Sequence, residues 1–210
     1  MLVQIYRVVW RLIYKFKLNV IEREIKKNVA LIGSDHHFGP TSRVKLFEGA
    51  QVSNVELHDH VEMFGTLTSL HHGKIVMRPW SKIGAGSCIL AANYVEIGAD
   101  TAIAEGVMIV DNNYHPINPE DRRYMRHTPH DSWERQSRHS ANAPIYIGEN
   151  VWIGSNVRIC KGVTIGDNAI IAACSVVTKN VPANAIAAGN PAKIVKEDID
   201  KTTTSIFRKD

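Results

Sequence analysis

Residues 147–182 read IGENVW, IGSNVR, ICKGVT, IGDNAI, IAACSV and VTKNVP when cut in sixes. A branched aliphatic opens every block: Ile147, Ile153, Ile159, Ile165, Ile171 and Val177. The second place is small, running Gly148, Gly154, Cys160, Gly166, Ala172 and Thr178. The fifth is small or aliphatic, from Val151, Val157 and Val163 to Ala169, Ser175 and Val181. The fourth holds Asn150, Asn156, Gly162, Asn168, Cys174 and Asn180. Asn and Gly tolerate a positive φ at little steric cost. A chain that turns at the same place in each block puts them there. The aliphatic column, pointing inward, supplies a continuous apolar core. Period six with these columns predicts a parallel β-helix. Strands of a β-sandwich would alternate with period two and turn irregularly.

The repeat extends upstream. IGAGSC and ILAANY open at Ile83 and Ile89, and IGADTA and IAEGVM at Ile97 and Ile103, with Gly86, Asp100 and Gly106 in fourth place. Two extra residues intervene, so one coil is expected to bulge between Ala91 and Glu96. Asn93 and Tyr94 then either project as substrate contacts or form a harmless bulge. IVDNNY opens at Ile109, with Asn112 in the turn column. The next residue of the aliphatic column is His115. Residues 116–143 leave the repeat altogether, carrying Arg122, Arg123, Arg126, Arg135 and Arg138 against Glu120, Asp121, Asp131 and Glu134. Loops this long in a compact domain are functional or disordered. This one departs directly after His115, so a functional arm is expected. Its Arg either bind an anionic acceptor or pair with the arm's own acids. Residues 30–74 carry looser hexads, through Ile32, Phe38, Val44 and Ala50, and four His (His58, His60, His71, His72) expected at turns or on the surface.

The ends differ from the repeat. Residues 2–27 contain no Gly or Pro, and Ile5, Val9, Leu12, Ile13, Phe16 and Val20 recur at helical spacing. Arg7, Arg11 and Lys15 form a basic row. Charges interrupt every apolar run, so neither a membrane-spanning helix nor a signal peptide is expected. Two readings of this helix stay open: packing on the coil or on a neighbouring subunit, or lying on anionic lipid. The expected organisation is a helix over 1–29, the β-helix over 30–198 and a tail over 199–210, a short helix or extended cap that then frays. A net charge of +4 is too slight for a nucleic-acid surface. Three cysteines cannot all pair in one chain, so Cys88, Cys160 and Cys174 are read as free thiols in a reducing compartment.

The I-G-x-N-V-x repeats, with VWIG, VTKN and the closing A-A-G-N-P-A-K (residues 187–193), resemble the left-handed β-helix acyltransferases. The likeness is to their O-acetyltransferase branch, acting on galactosides, maltose and bacterial polysaccharides. It covers residues 75–198 well and 30–74 loosely. It implies left-handed coils, acetyl-CoA as co-substrate without a metal, a carbohydrate acceptor, and a parallel homotrimer with active sites between subunits. It also implies a cytoplasmic enzyme, peripheral on the membrane face under the lipid reading of the helix.

Within that resemblance, Asn112, His115 and Pro116 match N-x-x-H-P, whose His is the general base. The chemistry asks for one: a sugar hydroxyl is a poor nucleophile near neutral pH, and imidazole can take its proton. What orients the other ring nitrogen of His115 is left open. Trp152 in VWIG corresponds to a Trp at the acetyl-transfer site, although an outward aromatic in sixth place also suits a subunit contact. Ser155, Ala173, Thr178 and Lys179 match the groove that holds CoA, with Lys193 and Lys196 toward its phosphates. Lys196 stands where relatives carry Arg, and Cys174 where they carry Gly. Asn93 and Asn113 are the candidate acceptor contacts. Two other acceptor classes remain, an amine of a nucleotide sugar or an antibiotic. A zinc site like that of γ-carbonic anhydrase is disfavoured, because His127, His130 and His139 lie on the arm rather than on coils.

Overall fold

Each hexad makes one short strand and one corner, and three hexads complete a coil. Ile147 stands beside Ile165, Ile153 beside Ile171, and Ile159 beside Val177 in parallel register. In this computed structural model, residues 2–202 are described. Stacked coils form three parallel sheets, the faces of a prism. The first runs from Ala30–Leu31 to Thr164–Ile165, the second from His37–Phe38 to Ile186–Gly189, and the third from Arg43–Phe47 to Val176–Val177. One antiparallel strand, Ala192–Lys196, closes the second sheet. The architecture is a left-handed parallel β-helix.

The two inward columns form the core. All six first-place residues from Ile147 to Val177 are at most 3% exposed, and the fifth-place residues from Val151 to Val181 at most 4%. Burying each large aliphatic contributes about 1.5–3 kcal/mol. Coils stack so closely that a Cβ on Gly98 would lie 2.2 Å from the Gly148 carbonyl oxygen. That closeness is why the second column is small.

The turn column is left-handed at Asn150, Asn156, Gly162, Asn168 and Cys174. Cys174 adopts φ 61° there, in the place where a Gly was expected. The Asn side chains then form a ladder: the Asn150 amide donates to Asn168 Oδ1 and the Asn168 amide to Asn184 Oδ1, both at 2.9 Å. Two expected turn residues do not turn. Asn180 keeps a negative-φ backbone, and its side chain accepts the Thr164 N–H (2.8 Å); the next left-handed residue, Asn184, belongs to the following corner, stacked on Asn168. Asn112 is buried, and Tyr114 takes the positive φ instead.

The expected bulge at residues 91–96 is absent. Ala92 and Asn93 form a tight corner between Cys88–Ala91 and Tyr94–Ile97, and both strands stay in register with their neighbours. Hexads over 30–74 hold only in part. Phe38 is buried, but Ile32 is 42% exposed, because the first coils have longer, irregular corners. His60 and His71 occupy left-handed turns, whereas Nε2 of His58 is shut off from solvent. Helix α1 spans Leu2–Lys26 and α3 spans Ile199–Thr202. The expected frayed tail beyond residue 202 lies outside the described residues.

Candidate active site

The arm leaves the prism at the edge between the third and first sheets, and its neck is closed by backbone. The Ala143 N–H donates to the Asp111 carbonyl (2.9 Å) and the Asn113 N–H to the Ala141 carbonyl (3.0 Å), with Asn112 bridged to Asn142 between them. Asp111 is wholly buried, and its carboxylate accepts the N–H groups of Ala92 (2.8 Å) and Asn93 (2.7 Å). Burial pushes its pKa up, against those hydrogen bonds, which pull it down. Asn112, also buried, accepts the Tyr114 N–H (2.8 Å) and so makes the turn that throws the chain outward. His115 follows, exposed and without a hydrogen bond to any described residue. Asp111 therefore does not orient His115: both its oxygens hold the neighbouring corner.

Asn93 meets this neck from the coil below, its amide donating to Asn142 Oδ1 at 2.9 Å. Asn93, Asn113 and His115 thus gather at the root of the arm. Beyond it, α2 (Pro119–Arg126) is capped by Asn118, whose side chain accepts the Glu120 N–H, with Pro119 at its first turn. The arm folds back over the outer face of the third sheet. Glu48 grips Ser137 through its N–H (3.0 Å) and hydroxyl (2.7 Å), and Arg138 reaches His71 (3.3 Å). A cleft of about 560 Å³ remains between arm and sheet, floored by Phe47, Leu70 and Leu90 and walled by Tyr114, Arg135 and Gln136. The Gln136 side-chain oxygen is buried there without a partner.

Among the described residues, no ion pair joins the arm's Arg to its acids. Arg122 donates to the carbonyls of Pro116 and Ile117, and Arg135 to those of Thr128 and Arg126. Arg123 and Arg126 stand exposed on α2.

The remaining candidates do not converge within one chain. Ser155 and Ala173 stack on the edge between the second and third sheets, where Lys193 also lies through its pairing with Ala188. Thr178 and Lys179 occupy the corner after Val176–Val177, on the arm's edge. Trp152 is 59% exposed on the second sheet, in a row with Ile170, Ile186 and Lys196. Lys196 borders the Asn150–Asn168–Asn184 ladder on the third edge. The expected single CoA groove is thus spread over three edges, because a prism turns successive corners to different sides. Sequence reasoning missed Tyr114, Asn142 and Glu48. Their roles come from pairings across the neck and, for Glu48 and Ser137, across 89 residues, which no local pattern signals. All three thiols are free. Among the described residues, no three His, Cys, Asp or Glu side chains stand together as a metal site.

The bacterial transferase hexapeptide family (six repeats) matches residues 144–179. A Saccharomyces cerevisiae protein, YJL218W, assigned by name alone to the acetyltransferases, is 31% identical over 169 residues, 80% of this chain and 86% of its own length. The chain belongs to this family of hexapeptide-repeat acetyltransferases, enzymes that transfer acyl groups. Galactoside O-acetyltransferase of Escherichia coli strain K12 is 52% identical, but over 31% of this chain and 32% of that one. Among solved structures, the polySia-specific acetyltransferase NeuO has a TM-score of 0.56 at 26% identity, covering 81% of this chain and 75% of NeuO. The fold alone is also shared with AntD, an N-acyltransferase from Bacillus cereus solved with 3-hydroxybutyryl-CoA (TM-score 0.64, 16% identity, 86% and 90% covered).

Proposed function

We propose that this protein moves the acetyl group of acetyl-CoA directly to a hydroxyl of a carbohydrate, with His115 as general base. One observation carries the reading. The hexad column breaks at an exposed His with no hydrogen-bond partner among the described residues, set at a hydrogen-bonded neck beside Asn93 and Asn113. In the step proposed, the sugar oxygen attacks the thioester carbonyl carbon as His115 takes its proton. The C–O bond forms, the C–S bond breaks, and the proton passes to the departing CoA sulfur. No acyl-enzyme is needed, so Cys88, Cys160 and Cys174 are bystanders.

Small residues at Ser155, Ala172 and Ala173 keep one edge narrow enough for a pantetheine arm, and Lys193 lies beside it. That edge is not the one bearing His115. The proposal includes a parallel homotrimer, in which one chain's arm edge meets the next chain's CoA edge. The row of exposed Trp152 and half-buried Ile170 and Ile186 is suited to that contact. Arg123 and Arg126, free of ion pairs, favour an anionic glycan as acceptor.

The test is acetyl transfer followed by mass spectrometry over an oligosaccharide panel. His115→Ala is expected to lower kcat by about 10²- to 10⁴-fold with acetyl-CoA affinity unchanged. Near-normal turnover in that variant removes His115 as base and favours an amine acceptor, which has less need of one. A trapped acetyl-cysteine would refute direct transfer.

A further inference from the structure

Only the last turns of α1 touch the β-helix. Ile21 and Ile25 are buried, at 9% and 2%, against the first coil beside Val44. Upstream, no described residue covers the helix. Leu12 is 63% exposed, Ile13 62% and Phe16 70%, with Tyr6, Val8, Val9, Trp10, Tyr14 and Val20 exposed as well. At about 100° per residue, Leu12, Phe16, Val9 and Ile13 fall in one broad stripe. Ile21 and Ile25 point to nearly the opposite side, so the stripe faces away from the prism. Arg7, Arg11 and Lys15 share the face across from the stripe, and Lys17 sits on its margin. Trp10 stacks on Tyr14, centroids 5.6 Å apart, at the border between apolar and basic faces. No Asp or Glu occurs among residues 1–21.

We propose that this overhang of α1 is a docking surface for an anionic lipid membrane, on which the helix lies flat. An exposed apolar face of this breadth marks an interaction site, and its charge selects the occupant. A second copy of α1 would bring the same four cations and no acid to pair with them. An anionic headgroup layer neutralises the cations while its acyl boundary takes the stripe, and aromatic rings suit the boundary between the two. Lying flat is the geometry left open, since no described helix is long and apolar enough to cross a membrane. The proposal stands independently of the acceptor and of His115.

Flotation of the full chain with phosphatidylglycerol-containing vesicles, against pure phosphatidylcholine vesicles, tests it. The chain is expected to float with the anionic vesicles at low salt and to be released at high salt. Its tryptophan emission should shift to the blue, and Trp10→Phe should abolish the shift. Replacing Arg7, Arg11 and Lys15 by Gln should weaken partition about 100-fold, at about fivefold per cation. Leu12→Gln with Phe16→Gln should also release the protein, with an unchanged melting midpoint because neither side chain is packed. Absence of flotation on anionic vesicles, or a triple Gln variant that floats like wild type, overturns the proposal. So does a large assembly in lipid-free solution that the Leu12/Phe16 variant disperses while neither form floats, since the occupant is then a second copy.

Discussion

Asp111 and His115 are four residues apart and do different work. Asp111 is committed to the coil: without its carboxylate, the N–H groups of Ala92 and Asn93 lose their partners. An orphaned donor costs about 1–3 kcal/mol when fully buried, and these two are part-buried, so each is expected to cost less than that. Asp111→Ala is therefore expected to lower the urea midpoint and to loosen the neck, with acetyl-CoA binding retained in the folded fraction. If stability stays unchanged while kcat falls, Asp111 acts on His115 instead. The place of His115, exposed at the root of the arm, was legible from sequence because it breaks a strict column. Asn112 was misread for the same reason: the column says turn, but the residue is buried and turns the chain through its side chain, so Tyr114 carries the left-handed backbone. A column records where a turn falls, not which atoms make it.

Among the elements, the hexads from Ile83 onward were readable because every inward place lies in one continuous core. The arm was legible only as an interruption. Its helix did carry a local signal, Asn118 as cap, Pro119 at the first turn and Glu120 and Asp121 after it, a recognised start pattern. Its docking on Glu48 carried none. Replacing residues 116–140 with a short turn is expected to raise acceptor KM while leaving CoA binding and the melting midpoint close to wild type, because Ala141, Asn142 and Ala143, the partners that close the neck, are kept. An unchanged acceptor KM would make the arm incidental to recognition. Charge reversal of Arg123 and Arg126 is a finer probe. It should raise KM for carboxylated glycans by more than for neutral ones, in steady-state assays.

For the whole molecule, the separation of Ser155 and Ala173 from His115 onto different edges sets a requirement: one chain does not assemble the proposed site. Light scattering at micromolar concentration is expected to give a stable trimer, and a monomer that still turns over would contradict the shared site. The membrane overhang, the arm and the CoA edge occupy different parts of this assembly unit, so their variants should be separable. The arm also bears on how this architecture diversifies. Val95 pairs with Ile75 on one side and Ile145 on the other, so the chain closed between neighbouring rungs grows from 20 to 50 residues where the arm enters. Loop-closure entropy rises only with the logarithm of length, which makes the insertion cost about 0.8 kcal/mol. The neck makes the arm an interchangeable cassette, and a lineage can exchange it for one of another length and specificity while the scaffold barely registers the change.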